Sequence, residues 1–174
     1  MLTTNQKGAI AEAAIMKAAF EVGYDVYRPA IEGGRYDLIL DRGDALVRVQ
    51  CKWAPLHGDV IVVRVYSNRR TRSGLLRRPY LQREIDAVGA YCPALDRCYL
   101  IPFAGVDCVQ QLNLRVAPTR NHQQRGIRQA SVFEFGGTIR RDGPIAQLGE
   151  RLDGIQKVAG SSPAGSTLSD GAPH

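Results

Sequence analysis

The chain has 174 residues, 44% of them hydrophobic, which suits one domain with a modest tail. Its net charge of +6 favours a polyanionic partner, nucleic acid or a membrane surface. No signal-peptide pattern and no long apolar run occur, which speaks against a secreted or membrane-spanning protein and points to the cytoplasm and reduced thiols.

In chain order, "TTNQKGAIAEAAIMKAAFEVG" predicts a helix that Thr3 or Thr4 can cap and Gly23 can stop. Its apolar residues, among them Ile10, Ala14, Ile15 and Ala18, form one wide face with Glu12 near the edge. "YDVYRP" predicts a short strand ended by Pro29. "YDLIL", "DRGD" and "ALVRVQCKW" predict a β-hairpin, and "DVIVVRVYS" a further strand. From Asn68 to Tyr80 a basic loop is expected, then a second helix over "LQREIDAVGAY" and a strand over "RCYLIPF" that Pro102 ends or places at an edge. "VQQLNLRVAP" reads as a helix or an extended segment, and "SVFEF" as a last strand. The fold class expected is α/β (α+β), a central mixed sheet flanked by helices, over residues 1–141. From Asp142 the composition turns to Gly, Ser, Pro and Ala, which predicts a flexible tail over 142–174.

The four cysteines, at 51, 92, 98 and 108, show no C-x₂-C spacing, so they read as small buried hydrophobes and not as a zinc site. Trp53 reads as a core residue.

On the strand "LVRVQCKW", Val47, Val49 and Cys51 point one way and Arg48, Gln50 and Lys52 the other. By itself that polar file is what a solvated face would show. The hairpin, however, sets Asp37 beside Gln50–Lys52, with Glu12 as a fourth member from the helix. A carboxylate and an amide oxygen suit a hard cation. Asp37, Gln50, the Cys51 backbone carbonyl and Glu12 are the candidate ligands of Mg²⁺, for which Mn²⁺ can substitute. Lys52 could orient or deprotonate a water beside the cation and offset charge on a phosphate, if its pKa falls.

Glu12, then "YD" at 36–37, then "QCK" at 50–52 resembles the PD-(D/E)XK nuclease superfamily. The likeness is greatest to intron-associated homing endonucleases of this type and archaeal Holliday-junction resolvases, and "EIDAVGAYCPALDRCYLIP" is similar to the homing group as well. The resemblance spans residues 4–135 and implies a restriction-endonuclease-like core, a metal-dependent endonuclease activity on double-stranded DNA, and Glu12, Asp37, Gln50 and Lys52 as catalytic residues. Tyr36 stands for the motif's proline and Gln50 for its second acid, which leaves metal number and rate open.

Residues 64–83 hold seven arginines and no acid, and 108–133 hold four, again without an acid. The candidate DNA contacts are Arg64, Tyr66, Asn68, Arg69, Arg70, Arg72, Arg77 and Arg78, with Arg120 and Arg125 in the second run; a basic loop that reads no bases is the alternative. His122 reads as a polar contact. A double-strand cutter needs two centres, hence a homodimer or homotetramer.

The stretch "GPIAQLGERLDGIQKVAGSSPAGST" reads as translation through a tRNA gene. Its codons allow a D-arm, an anticodon stem around GGC and a T-arm in one frame; an ordinary tail with a short amphipathic helix is the alternative. Three functions remain: a site-specific homing-type nuclease targeting a tRNA gene or its surroundings, a junction resolvase, or a DNA-binding module on a decayed nuclease fold.

Overall fold

The computed structural model describes residues 1–135 apart from 32, 73, 105, 107–109 and 119–126. The tail and its tRNA-like stretch, Cys108, Arg120, His122 and Arg125 therefore lie outside the described residues.

Helix α1 runs over Thr4–Glu21. Thr3 Oγ1 accepts the Gln6 N–H at 3.2 Å and Gln6 Oε1 accepts the Thr3 N–H at 2.9 Å, a reciprocal cap that contributes about 1 kcal/mol. Gly23, at φ +83°, ends the helix in a conformation that costs other residues more. The strands that follow are β1 (Asp25–Tyr27), β2 (Leu38–Asp41), β3 (Leu46–Trp53), β4 (Leu56–His57), β5 (Val60–Arg64), β6 (Tyr66–Thr71), β7 (Gly74–Pro79), β8 (Ala87–Cys92), β9 (Arg97–Pro102), β10 (Gln111–Arg115) and β11 (Arg128–Gln129).

A five-stranded sheet in the order β1-β2-β3-β8-β9 forms the centre, antiparallel except for the parallel pair β3–β8. A four-stranded sheet, β11-β10-β5-β4, lies behind it, and β6–β7 make a separate ribbon. The α+β class with a central mixed sheet is as expected, with three layers: helix, central sheet, second sheet.

Alternation along the strands feeds two cores. Leu38, Leu40, Val47, Val49, Cys51, Cys98 and Leu100 pack with Ile15, Ala18 and Ala19 of α1. Val88, Ala90, Tyr99 and Ile101 pack with Ile61, Val63, Leu112 and Leu114 of the second sheet. Each large buried aliphatic side chain contributes about 1.5–3 kcal/mol. The helix sits close because β8 offers it no side chain at Gly89: a Cβ there would lie 3.0 Å from both Ile15 Cδ1 and Val49 Cγ1.

The second flanking helix is not formed. Leu81–Glu84 is a turn, and Ala87–Cys92 is a strand between β3 and β9. Its alanines favour a helix locally, but its residues alternate between the two cores, which only an extended chain allows. The basic loop is also corrected: 66–79 is an antiparallel hairpin, Tyr66 opposite Pro79 and Thr71 opposite Gly74. It shows no alternation in sequence because Asn68, Leu76, Arg77 and Arg78 are all exposed, so neighbouring residues on β7 are not sorted into a buried and a solvated face. The single strand expected over 59–67 breaks at the buried Val65, whose N–H turns to the Gln110 carbonyl. "VQQLNLRVAP" resolves into strand β10. "SVFEF" is a 3₁₀ turn (Ala130–Val132) followed by one bridge, Glu134 to Tyr99, at the free edge of β9. The edge position read from Pro102 is found.

Candidate active site

The site opens where β2 and β3 part. Their pairing runs from Asp41–Leu46 at the turn to Leu38–Val49, and Asp37 N–H still reaches the Val49 carbonyl at 2.9 Å. Beyond that point β3 is paired on its β8 side alone. The Cys51 N–H on the open side would lack a strand partner; Asp37 Oδ2 accepts it at 2.7 Å. The same oxygen accepts the Gln50 side-chain Nε2–H. Gln50 is 8% exposed, a buried amide made affordable by that bond. The structure thus brings Asp37, Gln50 and Cys51 together.

Lys52, next along β3, donates from Nζ to the Tyr80 hydroxyl at 2.8 Å and to the Tyr66 carbonyl at 3.3 Å. Burial lowers its pKa, against the pull of Asp37. Burial pushes the Asp37 carboxyl up, the Cys51 N–H opposes that, and Glu12 adds to the rise by repulsion. Burial also pushes the Cys51 thiol well up, so it stays a neutral member of the core. Glu12 stands on the third turn of α1 and is held by Arg28 at 2.7 Å. It shares with Asp37 a cavity of about 570 Å³, walled by Thr4, Gly8 and Glu12 of α1 on one side and by Arg28, Gly34 and Asp37 on the other.

The donors on this cleft are hard oxygens. On the cavity itself these are the carboxylates of Glu12 and Asp37; beside Asp37 stand the Gln50 amide, hydrogen-bonded to it, and the Cys51 carbonyl, which leaves the strand on the same edge as its N–H. Mutual repulsion and burial at Asp37 are what a divalent cation relieves, so the set fits Mg²⁺ or Mn²⁺. With Gln50 in place of an acid, no group of three or more His, Cys, Asp or Glu able to hold a metal occurs among the described residues.

The third member of the polar file has another task. Arg48 forks onto Asp86 (Nε–Oδ2 2.9 Å, Nη2–Oδ1 2.8 Å) and pins β3 to the segment entering β8. Trp53 is half-buried, edge-on to Tyr91 with 5.7 Å between ring centres, and is less enclosed than expected. Cys51, Cys92 and Cys98 are buried free thiols.

Of the arginine-rich run, Tyr66, Asn68, Arg69 and Arg70 lie on β6, Arg72 in the turn, and Arg77 and Arg78 on β7. Arg64 ends β5 in the second sheet, apart from Tyr66 and Asn68 on the ribbon. Asn68 pairs with Arg77, whose guanidinium lies 5.2 Å from the Tyr66 ring centre; Ser67 pairs with Arg78 on the opposite face. That second face meets the body. Arg78 reaches Glu84 at 2.5 Å, and Arg35 reaches Glu84 and the Ser67 hydroxyl, both at 2.9 Å. Arg28, Arg35, Tyr80 and Glu84 escaped the sequence reading. "EGGR" ahead of "YD" offered a basic residue near the acid, but no local pattern says where its guanidinium goes.

The structure thus sets an acid at a strand's head, an amide and a lysine two apart on the next strand, and a second acid on the covering helix. The model of the PD-(D/E)XK endonuclease family matches residues 2–136. The chain belongs to that family. Its fold is similar to that of a bacterial homing endonuclease, I-Ssp6803I, with a TM-score of 0.65 and 23% identity over 90% of this chain and 99% of the other. No curated protein matches the sequence. No helix among the described residues is long and apolar enough to cross a membrane.

Proposed function

We propose that this endonuclease is a divalent-metal-dependent, site-specific DNA endonuclease of homing type. The convergence of Gln50, the Cys51 edge and Asp37 beside Lys52 carries the reading. Asp37, the Gln50 amide oxygen, the Cys51 carbonyl and Glu12 would hold Mg²⁺ or Mn²⁺. The cation supplies Lewis-acid stabilisation of the phosphate's developing charge and acidifies water in the cleft. Gln50 holds the Asp37 carboxylate by a hydrogen bond donated from its side-chain amide. Lys52, whose pKa burial lowers, would orient the attacking water and exchange a proton with it. Arg28 balances the charge of Glu12.

A two-stranded ribbon fits the major groove. The β6–β7 hairpin turns Asn68 and Arg77 away from the face that meets Arg35 and Glu84, and we assign it to base and phosphate contacts together with Arg64, Arg69, Arg70 and Arg72. Arg120 and Arg125 extend the basic surface in this reading. One centre cuts one strand, so double-strand cleavage calls for a symmetric homodimer or homotetramer. The tRNA-like tail sequence favours a target in or beside that gene.

Incubation with duplex DNA spanning the flanking tRNA gene, with and without Mg²⁺, tests the reading. Cleavage that needs Mg²⁺ and disappears in Asp37→Ala and Lys52→Ala is expected. Preference for a four-way junction over every linear duplex would make the protein a resolvase. The replacement of an acid by Gln50 favours a second reading, a DNA-binding module without activity; binding without cleavage in Mg²⁺ and Mn²⁺ would establish it.

A further inference from the structure

Lys52 is tied to both feet of the hairpin. Its ammonium donates to the carbonyl of Tyr66, the first residue of β6, and to the hydroxyl of Tyr80, the residue after β7. Tyr80 is 3% exposed, and the Arg35 guanidinium lies 4.4 Å from its ring centre. Arg35 also grips both legs of the ribbon, Ser67 on β6 at 2.9 Å and the Pro79 carbonyl on β7 at 2.6 Å, while Glu84 anchors it at 2.9 Å. Arg35 stands two residues before Asp37. One cluster thus touches the strand head that carries the carboxylate, the lysine, and both ends of the ribbon.

We propose that Tyr80 and Arg35 are positioning residues through which the seating of the hairpin on DNA sets the place of the Lys52 ammonium. A lysine is a point charge on a flexible stem, and holding it costs rotamer entropy. Two of its three donors are spent on the hairpin's feet, which leaves one for water or a phosphate oxygen. A shift of either foot moves the ammonium, and a misplacement of about 1 Å is worth about a hundredfold in rate. Base reading by the ribbon would then govern the cleavage step as well as affinity.

The proposal rests on the nuclease reading, and two arms separate their failures. In the first, the full chain acts on the duplex it cuts in the experiment above. Affinity is measured in Ca²⁺, and single-turnover rate at saturating protein in Mg²⁺. Tyr80→Phe, which keeps the ring that Arg35 stacks on, should hold its Kd within about twofold and lose about tenfold or more in rate. Arg35→Lys, which keeps charge and loses the fork, should lose rate similarly. Wild-type rates in Tyr80→Phe would overturn the proposal while leaving the nuclease reading intact. The second arm needs no cleavage: amide exchange in the DNA-free chain. Lys52→Met should speed exchange across 66–79 and leave 38–49 unchanged; unaltered exchange in the hairpin would overturn the link. If the wild-type chain cuts no DNA, the nuclease reading fails first and the proposal with it.

Discussion

The Gln50 side chain donates its amide to the Asp37 carboxylate at the point where β2 ends and β3 continues. A family acid in place of Gln50 could not make this bond while ionised; the amide keeps the pair together without a cation and gives up one negative charge. Gln50→Glu is therefore expected to lower stability in EDTA by about 1–3 kcal/mol, through lost hydrogen bonding and like-charge repulsion. Mg²⁺ should restore it, and the rise in melting temperature on adding Mg²⁺ should be larger for Gln50→Glu than for the parent protein. An equal Mg²⁺ response in both would contradict the assignment of position 50 to the cation.

Gly89 lets α1 approach the sheet. Gly89→Ala places a Cβ 3.0 Å from Ile15 and Val49, within a core closed on every side, and should cost about 1–3 kcal/mol in urea unfolding. Gly89→Ala combined with Ile15→Val should recover part of that loss, because Ile15 supplies two of the three close atoms.

Glu84 is the acid that holds the hairpin's inner face. Burial pushes its carboxyl up, but bonds from Arg35 and the Leu81 N–H, with the charges of Arg35 and Arg78, outweigh it and leave the pKa below its ordinary value. A carboxyl whose folded pKa is depressed contributes stability in full above its unfolded pKa and loses it as pH falls through the folded one. Glu84→Gln should accordingly be less stable than the parent at pH 7, with the gap closing as pH falls below about 4.3. Urea unfolding at the two ends of that range reads it; a gap independent of pH would mean that charge is not what holds the acid.

Arg77 is exposed on the outward face of the ribbon, and its stacking on Tyr66 is a surface contact. Arg77→Ala should leave melting nearly unchanged. Binding to the cleaved duplex in Ca²⁺ should weaken, and the slope of log affinity against log salt should fall by about 0.9 if Arg77 meets a phosphate. An unchanged slope with relaxed base preference would assign it to a base edge, where a bidentate contact is worth about 1–3 kcal/mol.

What the sequence determined by itself was what neighbours along the chain decide. Thr3 and Gln6 close the cap of α1 within one turn, and Gly23 ends it. "DRGD" folds β2 onto β3, and that hairpin alone sets Asp37 beside Gln50 and Cys51. The tertiary structure decided the rest. "AVGAYC" became a strand because β3 and β9 flank it and a core lies on each of its faces, a gain that outweighs the helix preference of its alanines. The hairpin of 66–79 exposes Asn68, Leu76, Arg77 and Arg78 and meets the body through polar bonds of Ser67 and Arg78, so hydrophobic alternation did not mark it. Arg35, Tyr80 and Glu84 are far from Lys52 in sequence and have no periodic signature. Only the folding of two distant segments onto one strand edge brings a guanidinium, a phenol and an ammonium together, and contacts of that range leave no mark on local sequence.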